Sequence, residues 1–214
     1  MITLVGQYDS PFVRRVAITL HLYGMPFQRN AMSVFSDAEA MAKINPIVRI
    51  PSLILDDGGI LIDSGAIIDY LDGLAGPERS LTPPSGNERQ MVLQIMAYAT
   101  GVVDKLGTIV YERTFHPPEH VSEDWMARCR RQLEGALSVL EELPKEPYFL
   151  GDRLSQADVT TGVAMGYMRI RPQYAPAPGS YPGLEALADR LEALDAFKAA
   201  RPSDKEIMPP TPSG

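Results

Sequence analysis

Three short stretches carry residue types able to hold an anion, a peptide backbone and a zwitterion. In LVGQYDSPFVRRV, residues 4–16, Ser10 stands between an apolar strand-like run and a helix-like run, with Pro11 directly after it. A serine there is a helix cap. It is equally a hydroxyl beside the free N–H groups and partial positive charge of a helix N-terminus, which welcome an anion. In Arg49-Ile50-Pro51 the proline opens a second apolar run. With a trans bond it is a strand opening on an edge. With a cis bond it turns the backbone of Ile50 outward, where N–H and C=O can pair with an extended peptide. Asp63-Ser64 precedes a third helix-like run. Capping is one reading of it. The other is a clamp in which Ser64 and the helix N–H groups hold a carboxylate while Asp63 holds the neighbouring ammonium. In this order and spacing, the three describe a site for a short peptide with a thiol at one end and an amino-acid head at the other.

The elements that must position these groups follow from periodicity and punctuation. Ile2 to Val5 is a buried-strand run ending at Gly6. Ser10 and Pro11 open a helix in which Val13, Val16, Ala17 and Leu20 form the apolar stripe and Arg14 and Arg15 are expected to face away. Gly24 and Pro26 end it, and Phe27 to Met32 supplies a second strand, parallel to the first. Ser36-Asp-Ala-Glu39 has the capping-box pattern for a short second helix closed by Asn45-Pro46. Ser52 to Leu55 and Ile60 to Ile62 flank Asp57-Gly58-Gly59, a hairpin signal. The helix opened by Asp63-Ser64 carries Ala66, Ile67, Tyr70 and Leu71. The order is β-α-β-α-β-β-α over residues 1–76.

The stretch GPERSLTPPSG then reads as a linker, taken as residues 77–86. Residues 87–214 carry helical patterns alone. Met91, Ile95, Tyr98, Val102 and Leu106 mark one long helix, and Trp125, Cys129, Leu133, Ala136 and Leu140 another. Ser155-Gln-Ala-Asp158 is a capping box with Leu154 and Val159 at the staple positions, opening a helix expected to run to about Arg171. Leu184 to Leu194 gives a last helix, and the tail PSDKEIMPPTPSG has little to bury. The fold class is an α+β domain followed by an all-α bundle.

Composition narrows the chemistry further. With 45% hydrophobic and 22% charged residues over 214, the mix is that of a globular protein. The net charge of -7 argues against a nucleic-acid groove. The single cysteine, Cys129, excludes a disulfide framework and falls on an apolar stripe. The longest apolar runs fall short of a membrane span and Met1 leads straight into a strand, so the expectation is a soluble, cytoplasmic protein. His116 and His120 have helical spacing, but the prolines of HPPEH prevent a regular turn, and no metal site is expected. Arg128, Arg130 and Arg131 read as a solvated face. Ser10 lacks the GxSxG setting of a hydrolase nucleophile.

The stretches SPFVRRV, NPIVRIPSLILDDG, IDSGAIIDYL and FLGDRLSQADV together resemble the bacterial glutathione S-transferases, cytosolic type, over nearly the whole chain. The resemblance implies a thioredoxin-like glutathione-binding domain and a helical domain, with the second-substrate pocket at their interface. It implies a cis bond before Pro51, with Ile50 pairing to the cysteinyl backbone of glutathione and Arg49 nearby, and γ-glutamyl recognition by Asp63 and Ser64. Ser10 becomes the residue facing the thiol. Tyr8 stands at the wrong spacing for the donor role that tyrosines fill elsewhere in the family. TGVVD, ending at Asp104, resembles the stretch whose acid reaches glutathione across a homodimer interface. Phe12, Tyr98 and Tyr111 are the candidates for the second-substrate pocket. The implied reaction is transfer of glutathione, a co-substrate with no permanently bound cofactor, to a small hydrophobic electrophile in detoxification. The alternatives are glutathione-dependent peroxidase activity and a non-catalytic glutathione-binding or regulatory protein.

Overall fold

The computed structural model describes residues 1–207, which form two compact units. Met1–Pro84 and Glu192–Ile207 make the first, and Ser85–Leu191 the second. The first holds β1 (Ile2–Val5), α1 (Pro11–Tyr23), β2 (Phe27–Asn30), α2 (Ala38–Ile44), β3 (Ser52–Ile54), β4 (Ile60–Ile62) and α3 (Ser64–Ala75). The sheet order is β2-β1-β3-β4, with β1 parallel to β2 and β3 antiparallel to both its neighbours, the thioredoxin-like arrangement. Its core joins Leu4, Val5 and Leu53 of the sheet to Val13, Val16, Leu20, Ile67 and Leu71 of the helices, all fully buried.

Local signals explain most boundaries. Ser10 caps α1, Pro11 takes its first position, and Gly24 ends it in the left-handed conformation. The β3–β4 hairpin turns through Gly58 at φ 85°, and the Asp57 carboxylate accepts from Gly59 N–H at 2.8 Å. Two expectations fail here. β2 stops at Asn30, short of Met32. Ser36 does not cap α2; its N-cap is Asp37, whose carboxylate turns back to accept from Ser33 N–H at 2.8 Å.

Arg14 and Arg15 do not face away from the core; they are 5% and 3% exposed. Arg14 meets Glu192 at 2.8 Å and donates from Nε to Ala200 C=O at 3.1 Å. It also lies over the ring of Phe197. Those partners lie in the C-terminal stretch, where α8 (Asp195–Ala199) packs on α1. The expected last helix is thus followed by another that periodicity did not mark. The stretch after α3 is also held down: Leu81 N–H donates to the Tyr23 hydroxyl at 2.8 Å, and that hydroxyl bonds Asp72.

The second unit contains α4 (Gly86–Phe115), α5 (Glu123–Glu142), α6 (Gln156–Arg169) and α7 (Pro182–Glu192, its last residue grouped with the first unit). The buried stripe of α5 is Met126, Cys129, Leu133, Leu137 and Leu140, so Leu137 replaces Ala136 and Trp125 is exposed. α6 ends at Arg169, before the expected Arg171. Its capping box forms. Buried Asp158 accepts from the N–H groups of Ser155 and Phe149, each at 2.9 Å, and from the Ser155 hydroxyl at 2.7 Å. Burial raises the Asp158 carboxyl above its ordinary value against the pull of these donors. No helix among the described residues is long and apolar enough to cross a membrane. Of the tail expected to have little to bury, Met208–Gly214 lie outside the described residues, whereas Glu206 is bonded to Tyr8.

Candidate active site

The loop from β1 to α1 is pressed against the segment before β3. Gly6 has φ 134°, and a Cβ there would stand 2.5 Å from Val13 Cγ2 and 3.0 Å from Ile50 Cβ. Only glycine suits both the angle and the space. Past this contact, Ser10 is half-buried, and its Oγ accepts from Val13 N–H at 3.5 Å. That cap uses an acceptor lone pair and leaves the hydroxyl proton for a second partner. Tyr8 is a poor alternative donor. It is 5% exposed, its ring lies 3.5 Å from the Arg29 guanidinium, and burial raises its hydroxyl above the usual value.

The segment from α2 to β3 is organised by Asn45. Its Nδ2 donates to Arg49 C=O at 2.8 Å and its Oδ1 accepts from Ile47 N–H at 3.2 Å. These bonds hold Val48 at φ 49°, a conformation costing a β-branched residue about 1–3 kcal/mol. The Ile50–Pro51 bond that follows is cis. At the head of α3, Asp63 has φ 70° and its Oδ1 accepts from Gly65 N–H at 2.8 Å. Asp63 is exposed, whereas Ser64 is 3% exposed. Behind this corner lies Arg15. Burial lowers its guanidinium to about 10, opposed by the negative charges of Asp63 and Asp72, so it stays a cation at neutral pH.

These segments converge. Phe12, Arg49, Ile50, Pro51, Asp63 and Ser64 line a single open depression. Asn45, Ile47 and Ile62 complete the lining and were not among the residues expected from sequence. Asn45 was visible only as a helix stop. Its second use, spanning the loop with both ends of its amide, needs the folded backbone to be seen. Phe12, assigned from sequence to a second pocket, stands in this one. Ser10 lies outside the lining, at the adjoining start of α1. Tyr98, Asp104 and Tyr111 stand on α4 of the second unit. Tyr98 is half-buried, Asp104 is exposed, and Tyr111 packs edge-on to Phe115 at 5.5 Å.

The depression is lined by Ile50 directly before the cis bond, by the carboxylate-bearing Asp63, and by buried Ser64 at the N-terminus of α3. That set suits an extended peptide with a zwitterionic head. Residues 4–79 match the family model of the glutathione S-transferase N-terminal domain, and residues 123–190 that of the C-terminal domain. A glutathione S-transferase from Methylobacterium radiotolerans, solved in complex with glutathione sulfonate, superposes with a TM-score of 0.88 at 28% identity, covering 97% of this chain and 98% of that one. A glutathione transferase family member from Pseudomonas fluorescens Pf-5, solved with bound glutathione, gives 0.84 at 30% identity, covering 95% and 100%. The GST-like protein YibF of Escherichia coli is 29% identical, covering 93% of this chain and 98% of its own. The chain belongs to the glutathione S-transferase family.

Proposed function

We propose that the chain binds glutathione in the depression of the first unit and activates its thiol for attack on a small hydrophobic electrophile. The observation that carries this reading is the convergence of Arg49–Pro51 and Asp63–Ser64, on either side of the β3–β4 hairpin, with Phe12 of α1 on one open depression beside the N-terminus of α1. Ile50 would pair with the cysteinyl backbone. Ser64 and the first N–H groups of α3 would take the γ-glutamyl carboxylate, and Asp63 its ammonium. The thiol would then lie toward Ser10. Cys129 is fully buried, so thiol–disulfide exchange through the protein's own sulfur is disfavoured. Retention on glutathione-agarose, together with conjugation of a generic aryl halide, tests the reading. Retention without conjugation would favour a binding protein, and neither would overturn it.

Asp63→Asn isolates the clamp. An asparagine oxygen can still accept from Gly65 N–H, and asparagine tolerates a positive φ, so the helix cap survives. Only the charge opposite the ammonium is lost. The expected result is a Michaelis constant for glutathione raised about tenfold with turnover within about twofold. Equal affinity in variant and parent would remove Asp63 from recognition.

A twofold homodimer in the cytoplasm is part of the proposal, with Asp104 reaching the other subunit's glutathione. Ile62 at 38%, Tyr70 at 37% and Leu74 at 58% exposure give β4 and α3 apolar surface for a second copy to cover. Specific activity should then fall on dilution below the dimer dissociation constant. A fully active monomer in sedimentation would reject the shared site.

A further inference from the structure

We infer that Glu206, at the far end of the chain, is a positioning residue for the loop that presents Ser10. This rests on the glutathione reading for its catalytic consequence, but not for its geometry. Glu206 Oε1 accepts from Tyr8 N–H at 2.9 Å and is paired with Arg29 of β2. Its Oε2 accepts from Ser203 N–H at 3.1 Å and from the Ser203 hydroxyl at 2.9 Å. Arg29 in turn lies 3.5 Å over the ring of Tyr8. One carboxylate therefore grips the backbone of Tyr8 directly and its ring through Arg29.

Tyr8 occupies the middle of the segment that must be fixed. Upstream, Gly6 N–H donates to Asn30 C=O at 2.8 Å, which ties the loop to the end of β2. Downstream, Ser10 N–H donates to Gln7 C=O at 3.2 Å, closing a turn around Tyr8 and Asp9. The turn's internal bond sets its shape, and Gly6 sets where it starts. The grip on Tyr8 sets how the turn is tilted on the sheet, and hence where the Ser10 hydroxyl points. The side chain of Glu206 is only 9% exposed, so the contact is a built one rather than a passing surface pair. Burial alone would raise the Glu206 carboxyl. The donors from Tyr8 and Ser203 and the charge of Arg29 outweigh it and hold the group below the usual glutamate range, ionised at neutral pH.

Hydroxyl placement matters steeply, since a misplacement near 1 Å can cost about 100-fold in rate. A partial loosening of the turn is expected to cost less. Glu206→Ala should lower turnover about tenfold with the Michaelis constant for glutathione within about twofold, and raise the pKa of the bound thiol by about one unit. Glu206→Gln keeps an acceptor for Tyr8 N–H and should retain at least about a third of parent turnover. A ligand-free measurement keeps the geometry testable by itself: amide exchange of the 7–10 segment should be faster in Glu206→Ala than in the parent. If Glu206→Ala does not fold, faster exchange of that segment in Ser203→Ala, smaller in size, is the expected substitute. Unchanged exchange in the folded variants overturns the inference. Faster exchange with parent turnover and thiol pKa also overturns it, because the grip would then be structural alone. A parent that neither binds nor conjugates glutathione defeats the proposed reaction instead, and exchange still decides whether Glu206 holds the loop.

Discussion

Ser10→Ala is expected to lower the turnover of thiol conjugation about 10- to 100-fold, with glutathione affinity kept within about twofold. A free thiol with a pKa near 8.5 is only a few per cent ionised at pH 7. Lowering that pKa by about two units requires about 2.7 kcal/mol of preference for the thiolate. A hydroxyl donor to a charged acceptor contributes about 1.5–3 kcal/mol and a helix N-terminus about 0.3–1 kcal/mol. The two together are of the required size, and the alanine variant keeps only the second. Ser10 also caps α1 through Val13 N–H, so the alanine variant should lose about 1 kcal/mol of stability as well. Ser10→Gly separates the effects. A glycine cap costs only a few tenths of a kcal/mol, yet the hydroxyl proposed to donate to sulfur is gone. Both variants should show the same rise in the pKa of the bound thiol, read from thiolate absorbance against pH. An unchanged pKa would take Ser10 out of the chemistry and leave it as a cap.

Arg14→Ala should destabilise the protein by about 3–5 kcal/mol, seen as a lower urea midpoint for unfolding. The Arg14 side chain is 6% exposed, paired with Glu192 and bonded to the carbonyl of Ala200. Its removal leaves a carboxylate with only 18% side-chain exposure short of its main partner. Arg201 approaches the same carboxylate at 3.8 Å and softens the loss without replacing two short bonds. Adding Glu192→Gln to Arg14→Ala should recover part of the stability, because the uncompensated charge is then gone. A parent-like midpoint for Arg14→Ala would mean that water reaches Glu192 readily.

What was legible in the sequence was whatever a dozen neighbouring residues decide. Ser10-Pro11, Gly24, Asp57-Gly58-Gly59 and the Ser155–Asp158 box each act within their own turn, and the structure has each in the conformation its chemistry favours. Arg14 and Arg15 were misplaced because charge predicts exposure only when no partner waits inside. Arg14's partner is 178 residues away, beyond any local pattern. Ser36 is not the N-cap of α2: Asp37 takes that position without a side-chain cap bond and turns its carboxylate back to Ser33 N–H, a choice made by the loop and not by the spacing. Trp125 matched the helical period, yet Met126 next to it took the core position with Ile109 and Cys129. The depression was half legible. Pro51, Asp63 and Ser64 announce themselves by type, whereas Ile47 and Ile62 belong to it only through backbone shape.

The return of the C-terminal stretch to α1 sets an order of assembly. Arg14 emerges from the ribosome long before Glu192, 178 residues later. At about 5–20 residues per second, that interval is roughly 10 to 35 seconds. Throughout it, α1 carries a cation meant for the interior with nothing to neutralise it. The nascent first unit must keep this side of α1 in water, while the helices of the second unit can already form and pack. The unit translated first is therefore completed only after the second, and its closing step is the arrival of the stretch that follows α7.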